Sequence, residues 1–273
     1  MTRQLSVRDV RAVVSKVPTL SGIVLVGGQA LNYWAEALGI ATEDSKNAYG
    51  PAVSGDIDFL GSAKAAIEFG RAVNGKVKVA GLGDASPNAA LVTLDIEGEE
   101  HQIDFLSDLK GFSAVELEKL KALAARVGLV AGDHQPILVM HPVHCLKSQL
   151  ENVYGQLNRR AEPGGDRYVG RINLAIEACR RITLQYIERG DNRSALNIAE
   201  EVHNLSMLPS SLRARREDNL NVAGAIPVDA MPAEFREKRY PHMQASLERK
   251  FVKSVKIYGA KQHPKAAPRP REP

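Results

Sequence analysis

Only two cysteines, Cys145 and Cys179, occur in 273 residues, far apart and without Cys-x-x-Cys spacing. That excludes a disulfide framework and a cysteine-ligated zinc site. No apolar run approaches the roughly 18 residues of a spanning helix. The opening Met1-Thr2-Arg3-Gln4-Leu5 lacks the long apolar stretch of a secretory signal. The expectation is a cytoplasmic protein with no membrane partner. No Gly-Lys-Ser/Thr follows Gly27-Gly28, and no Gly-x-Gly-x-x-Gly follows a strand-like run. A Walker-type phosphate loop and a dinucleotide-binding fingerprint are therefore excluded. Internal repeats are absent. Aromatic residues make up only 5%, yet 44% of the chain is hydrophobic and 25% charged, which suits a real core in one large or two small domains.

Charge is unevenly spread. From Arg236 to Pro273 there are 11 Lys+Arg against 3 Asp+Glu, a net of +8, while the remainder carries −4. A basic end of this kind attracts polyphosphate or nucleic acid through counterion release, and it serves equally as a solubilising tail.

Val7, Val10, Val13, Val14 and Val17 recur at helical spacing behind Ser6, a cap candidate, and Pro18 stops the run. Gly22 to Val26 reads as a buried strand that Gly27-Gly28 ends. Ala30, Leu31, Trp34, Ala35 and Leu38 then repeat as a helix up to Gly39. Residues 40–55 form a long aperiodic loop, of the kind that is usually functional. Asp56 to Leu60 reads as a strand, Ala63 to Val73 as a helix and Lys76 to Ala80 as extended chain. Leu91 to Ile96 and His101 to Leu106 read as a hairpin turning at Glu97-Gly98-Glu99-Glu100. Beyond Ser113 helical signals dominate: Val115–Val127, His144–Leu157, Val169–Arg189, Arg193–Leu205 and Pro232–Val255, with one more strand pair within 127–139. The fold class expected is α+β: a mixed sheet with flanking helices over 1–112, a mainly helical domain over 113–260, and a disordered basic, proline-rich tail over 261–273.

Chemistry concentrates in the first part. Strand alternation puts Asp56 and Asp58 on one face and Ile57 and Phe59 on the other. In His101-Gln102-Ile103-Asp104-Phe105-Leu106 it likewise sets Asp104 opposite Ile103 and Phe105. Asp95 is the competing third acid. Carboxylates gathered on one face repel one another and are relieved by a divalent cation, and hard oxygen ligands select magnesium or manganese. Three convergent acids are the usual protein share of a two-metal phosphoryl-transfer site. Glycine backbone at Gly27-Gly28, opening a helix, can approach a triphosphate closely. His101, His141 and His144 read as structural or surface residues, and Trp34 as core. Tyr33 and Tyr49 are better placed for base stacking, though nothing requires it of them. Arg213, Arg215 and Arg216 form a basic cluster that reads equally as an RNA contact or a solvated helix end.

The order strand, Gly-Gly, helix, Ser-x-Asp-x-Asp strand and later strand Asp resembles the nucleotidyltransferase superfamily typified by DNA polymerase beta. Gly27-Gly28-Gln29-Ala30-Leu31 and Ser54-Gly55-Asp56-Ile57-Asp58-Phe59 are most similar to the AbiEii-type toxin branch. The likeness covers about residues 20–110. It implies that Gly27, Gly28 and Ser54 hold the nucleotide's phosphates and that Asp56, Asp58 and Asp104 hold metal, Asp104 also promoting deprotonation of the attacking hydroxyl. Lys147, in His144-Cys145-Leu146-Lys147, matches the lysine of the helical domain that binds nucleotide phosphate. Ala52 stands where that branch often has arginine, and its Arg-x-x-Lys-Asp-like motif is not intact, Asp166 and Arg167 being weak substitutes. The implied activity is magnesium-dependent transfer of a nucleoside monophosphate from an NTP to a hydroxyl, with RNA or tRNA as the acceptor and a cognate antitoxin as partner. The alternatives are a small-molecule acceptor resembling an aminoglycoside, and a non-catalytic nucleotide- or RNA-binding module.

Overall fold

A computed structural model describes residues 4–17, 22–41, 55–81, 87–127, 137–155, 157–162 and 165–262. Ser54, Tyr49, Ala52 and most of the long 40–55 loop lie outside the described residues, as do residues 263–273 of the tail. The chain divides into two compact units, residues 1–182 and 183–273.

The first unit is mixed α/β. Its elements are α1 (Val7–Val14), β1 (Val24–Val26), α2 (Gly27–Ala37), β2 (Ile57–Leu60), α3 (Ala63–Ala72), β3 (Lys76–Val79), β4 (Asn88–Ile96), β5 (Glu99–Leu106), α4 (Ala114–Leu123), β6 (Ala125–Val127), β7 (Ile137–Val139) and α5 (Pro142–Tyr154). The division into units falls within α6 (Asp166–Glu188). The seven strands form one mixed sheet in the order β3-β4-β5-β2-β1-β7-β6. Local chemistry starts the elements. Ser6 and Asp9 close a reciprocal capping box on α1, and Ser113 and Glu116 close another on α4. Glu97 and Gly98, both at positive φ, make the two-residue turn between β4 and β5.

Ile57, Phe59, Ile103 and Phe105 are fully buried, and the rings of Phe59, Phe69 and Phe105 lie 5.4–5.5 Å apart between centroids. Burying each of these side chains contributes roughly 1.5–3 kcal/mol. Because side chains alternate, this apolar layer commits the opposite sides of β2 and β5 to their acids.

Two expectations are corrected, and the strand pair expected within 127–139 is found as β6 and β7, with β6 displaced to Ala125–Val127. The helix expected over Val115–Val127 ends at Leu123, and Ala125–Val127 is strand β6, paired antiparallel to β7. β7 in turn lies parallel to β1. The sheet therefore runs on beyond residue 112, because the backbone groups of β1 facing away from β2 need a partner. Asp166 and Arg167, read as loop, open α6.

The second unit is helical: α7 (Asn192–Ser206), α8 (Pro209–Asp218) and α9 (Tyr240–Gln262) pack pairwise, with a π-helical turn at Phe235–Arg239 leading into α9. α8, which opens on Pro209, has no counterpart in the periodicity reading. α9 reaches Gln262, so the first two residues of the expected tail are helical.

Candidate active site

β2 and β5 run parallel with Asp58 and Asp104 as direct register partners. Neighbouring strands are about 4.8 Å apart, so the two carboxylates stand side by side on one face. Asp56, exposed, lies two residues before Asp58 at the entry to β2. Asp95 goes elsewhere: it faces Glu100, and its Oδ1 accepts a 2.8 Å bond from the Gly98 amide at the hairpin turn. Asp104 is thus the third acid of the group.

Burial, with Asp104 and Asp56 nearby, pushes the Asp58 carboxyl up to about 7. Burial and then Asp56 raise Asp104 too, while Asn88 Nδ2 opposes this by donating a 2.9 Å bond to its Oδ1. Asp58 and Asp104 are thus both raised by burial and by neighbouring carboxylates, and such a set is suited to a divalent cation, which removes the repulsion. Among the described residues no group of three or more His, Cys, Asp or Glu is gathered closely enough, as the side chains stand, to hold an ion outright.

The glycine turn faces the same place. Val26 of β1 is the register partner of Asp58, and Gly27 follows at φ +64°. A Cβ on Gly27 would lie 2.2 Å from Asp58 Oδ2. Glycine is required here twice over, for the left-handed backbone and for the approach to the carboxylate. No side chain caps the start of α2, so its first-turn amides are available to an anion.

Two arginines at this site escape the sequence reading. Arg171 on α6 donates to Asn32 Oδ1 at 2.6 Å and to the Gly28 carbonyl at 2.8 Å. Asn32 donates to Gln29, and Gln29 to the Leu5 carbonyl. This buried chain of polar groups holds the opening turn of α2, and burial lowers the Arg171 guanidinium to about 10 without discharging it at neutral pH. Arg159, on a short 3-10 turn after α5, is the cation that acts to lower Asp58. Neither carries a local motif. Each lies more than 100 positions from its partner in the chain.

Lys147, expected to bind nucleotide phosphate, has an acid and an aromatic neighbour. Buried on α5, it donates to Glu116 Oε1 and sits 4.5 Å from the Phe112 ring centroid. Burial disfavours the Glu116 anion, but the bonds from Lys147 and Ser113 outweigh it and hold that carboxyl at about 2. The ammonium is thus compensated within α4 and α5. His141 accepts from the Val143 amide as a helix cap, and burial brings it down to about 3 and His144 to about 4, so both imidazoles are neutral. Trp34 is core, donating to the Met140 carbonyl at 2.7 Å.

The chain matches no protein-family model and none of the curated proteins, so the site's chemistry rests on these residues.

Proposed function

We propose that the first unit has the nucleotidyltransferase fold and moves a nucleoside monophosphate from an NTP to a hydroxyl acceptor. The observation that carries this reading is the register of Asp58 with Asp104 beside a glycine turn that abuts Asp58. When bound at Asp56, Asp58 and Asp104, magnesium or manganese would supply charge neutralisation at the α-phosphate and the departing pyrophosphate. Gly27 and Gly28 offer backbone amides to the triphosphate. Arg159 supplies the fixed positive charge, a task the compensated Lys147 is less suited to. The acceptor oxygen forms a bond to the α-phosphorus as the bond from that phosphorus to the β-bridging oxygen breaks. Its proton passes to the Asp104 carboxylate and on to solvent, and pyrophosphate leaves. RNA is the acceptor favoured by the basic end of the chain, and by resemblance an antitoxin would restrain the activity.

The purified protein, incubated with each α-labelled NTP, magnesium and total RNA, is expected to transfer label to RNA, and Asp56→Ala with Asp58→Ala to abolish transfer. Label on small hydroxyl compounds instead would redirect the acceptor; NTP binding with no transfer to any acceptor would overturn the enzymatic reading. Within an active preparation, Arg159→Gln is expected to raise KM for the NTP about tenfold, the usual scale of a charge-assisted phosphate contact. An unchanged KM would remove Arg159 from the site.

A further inference from the structure

The second unit is rich in arginine, and four of its arginines are already engaged with acids. Arg213 and Arg216 pair with Glu217, Arg215 with Glu248, and Arg239 with Glu200. Arg215 and Arg216 also stack on Phe251 and Tyr258, at 4.1 and 4.0 Å from the ring centroids. Arg215 and Arg216 therefore tie α8 to α9, while Arg213 is paired within α8. A cavity of about 590 Å³ near the start of α9 is lined by Lys238, Arg239, His203 and His242, but its cations too have acid partners, Lys238 with Glu234 and Arg239 with Glu200.

The uncompensated charge lies further along α9. Arg249, Lys250, Lys253 and Lys256 are exposed, and among the described residues none of them forms an ion pair or hydrogen bond. Residues 249–262 contain no Asp or Glu. At about 100° per residue, Arg249, Lys253 and Lys256 share one face of the helix, and His242 falls on it two turns earlier. Leu247, Phe251, Ser254 and Tyr258 repeat with the same spacing on the opposite side. That side is the inner one: Leu247 is buried, Phe251 and Ser254 are half-buried, and Phe251 and Tyr258 receive the arginines of α8.

We propose that the outer face of α9 is a docking ridge for the phosphodiester backbone of RNA. The three cations follow one another with about 6 and 4.5 Å of axial rise, a regular line of free charge. Engaging it releases the polyanion's counterions with no acid to displace first. Val252, Val255, Ile257 and Tyr258 are also exposed on α9, but Leu247 and Phe251, directly opposite the cations, are packed inward, so the helix lacks the free apolar face opposite its charged one that an interfacial helix presents to a bilayer. That the polyanion is RNA rests on the reading of the first unit as a nucleotidyltransferase with an RNA acceptor; the ridge itself does not.

The test is equilibrium binding of the full chain, without NTP, to labelled structured RNA, single-stranded RNA, duplex DNA and phosphatidylserine vesicles across a salt series. Arg249→Glu, Lys253→Glu and Lys256→Glu combined is expected to weaken RNA binding at least tenfold and to flatten the dependence of log K on log salt by about 2, at roughly 0.7–0.9 per lost phosphate contact. Lys64→Glu, Lys76→Glu and Lys78→Glu combined changes net charge equally on the first unit and is expected to leave affinity within twofold. Asp58→Asn is expected to keep RNA binding while losing label transfer, which separates failure of the ridge from failure of the active site. Equal losses in both charge-reversal variants, an unchanged salt slope, tighter binding to duplex DNA than to either RNA, or binding confined to phosphatidylserine vesicles would overturn the proposal.

Discussion

Asp58→Asn is expected to make the metal-free protein more stable, and increasingly so as pH rises. The carboxyl titrates near 7 in the folded chain, through burial and its two acidic neighbours, against an ordinary value of 3.8. Below about pH 4 it is protonated in both folded and unfolded chains and contributes nothing to the difference. Between pH 4 and 7 the unfolded chain releases this proton while the folded chain keeps it, so the native protein loses stability with each step up in pH. Above 7 the loss is complete, with an upper bound of about 4 kcal/mol at 1.36 kcal/mol per pH unit. Asparagine is nearly the same size and carries no charge, so the variant is spared this loss. Chemical denaturation of both proteins in EDTA from pH 4 to 8 reads the difference directly. It should widen through that window and then level off; a difference independent of pH would overturn the account of Asp58. Magnesium at pH 8 is expected to raise the melting temperature of the native protein and to do little for the variant, since a ligand stabilises only the state that binds it. This outcome tests the metal site without any assay of transfer.

Gly27→Ala is expected to slow transfer by about a hundredfold at modest cost to stability. Holding alanine at φ +64° costs about 1–2 kcal/mol, which a melting curve registers as a clear but limited drop. The added methyl group also meets Asp58 Oδ2 at 2.2 Å, and Asp58 Cγ and Cβ at 3.2 and 3.4 Å. Asp58 is short, so its carboxylate yields by swinging away while the backbone stays in place. Displacing a reacting-site group by an ångström costs on the order of a hundredfold in rate. Gly28→Ala provides the comparison, being at the next position of the same turn without a positive φ. If Gly27→Ala melted as the native protein does and retained its transfer rate, the close approach would carry no functional weight.

Much of this site was legible from strand parity. Ile57 and Phe59, like Ile103 and Phe105, announce a buried face, and two-residue alternation then assigns Asp56, Asp58 and Asp104 to the other. The glycine turn, the hairpin at Glu97-Gly98 and the helical second half were likewise readable, because each depends on local backbone preference or on the period of one element. Parity says which face a side chain takes, but not which strand lies beside it. Only the tertiary structure sets β5, and not β4, next to β2, and so selects Asp104 over Asp95. It returns β6 and β7 to the sheet after α4, where composition suggested that a helical domain had begun. It also turns Lys147 to Glu116, sets Arg159 within electrostatic reach of Asp58 and binds Arg171 to Gly28. These pairings join residues 31 to 143 positions apart, and no local periodicity encodes them. They follow from burial: a charged group enclosed by the packing of several elements must find its counter-charge or hydrogen-bond partner among whatever those elements bring beside it.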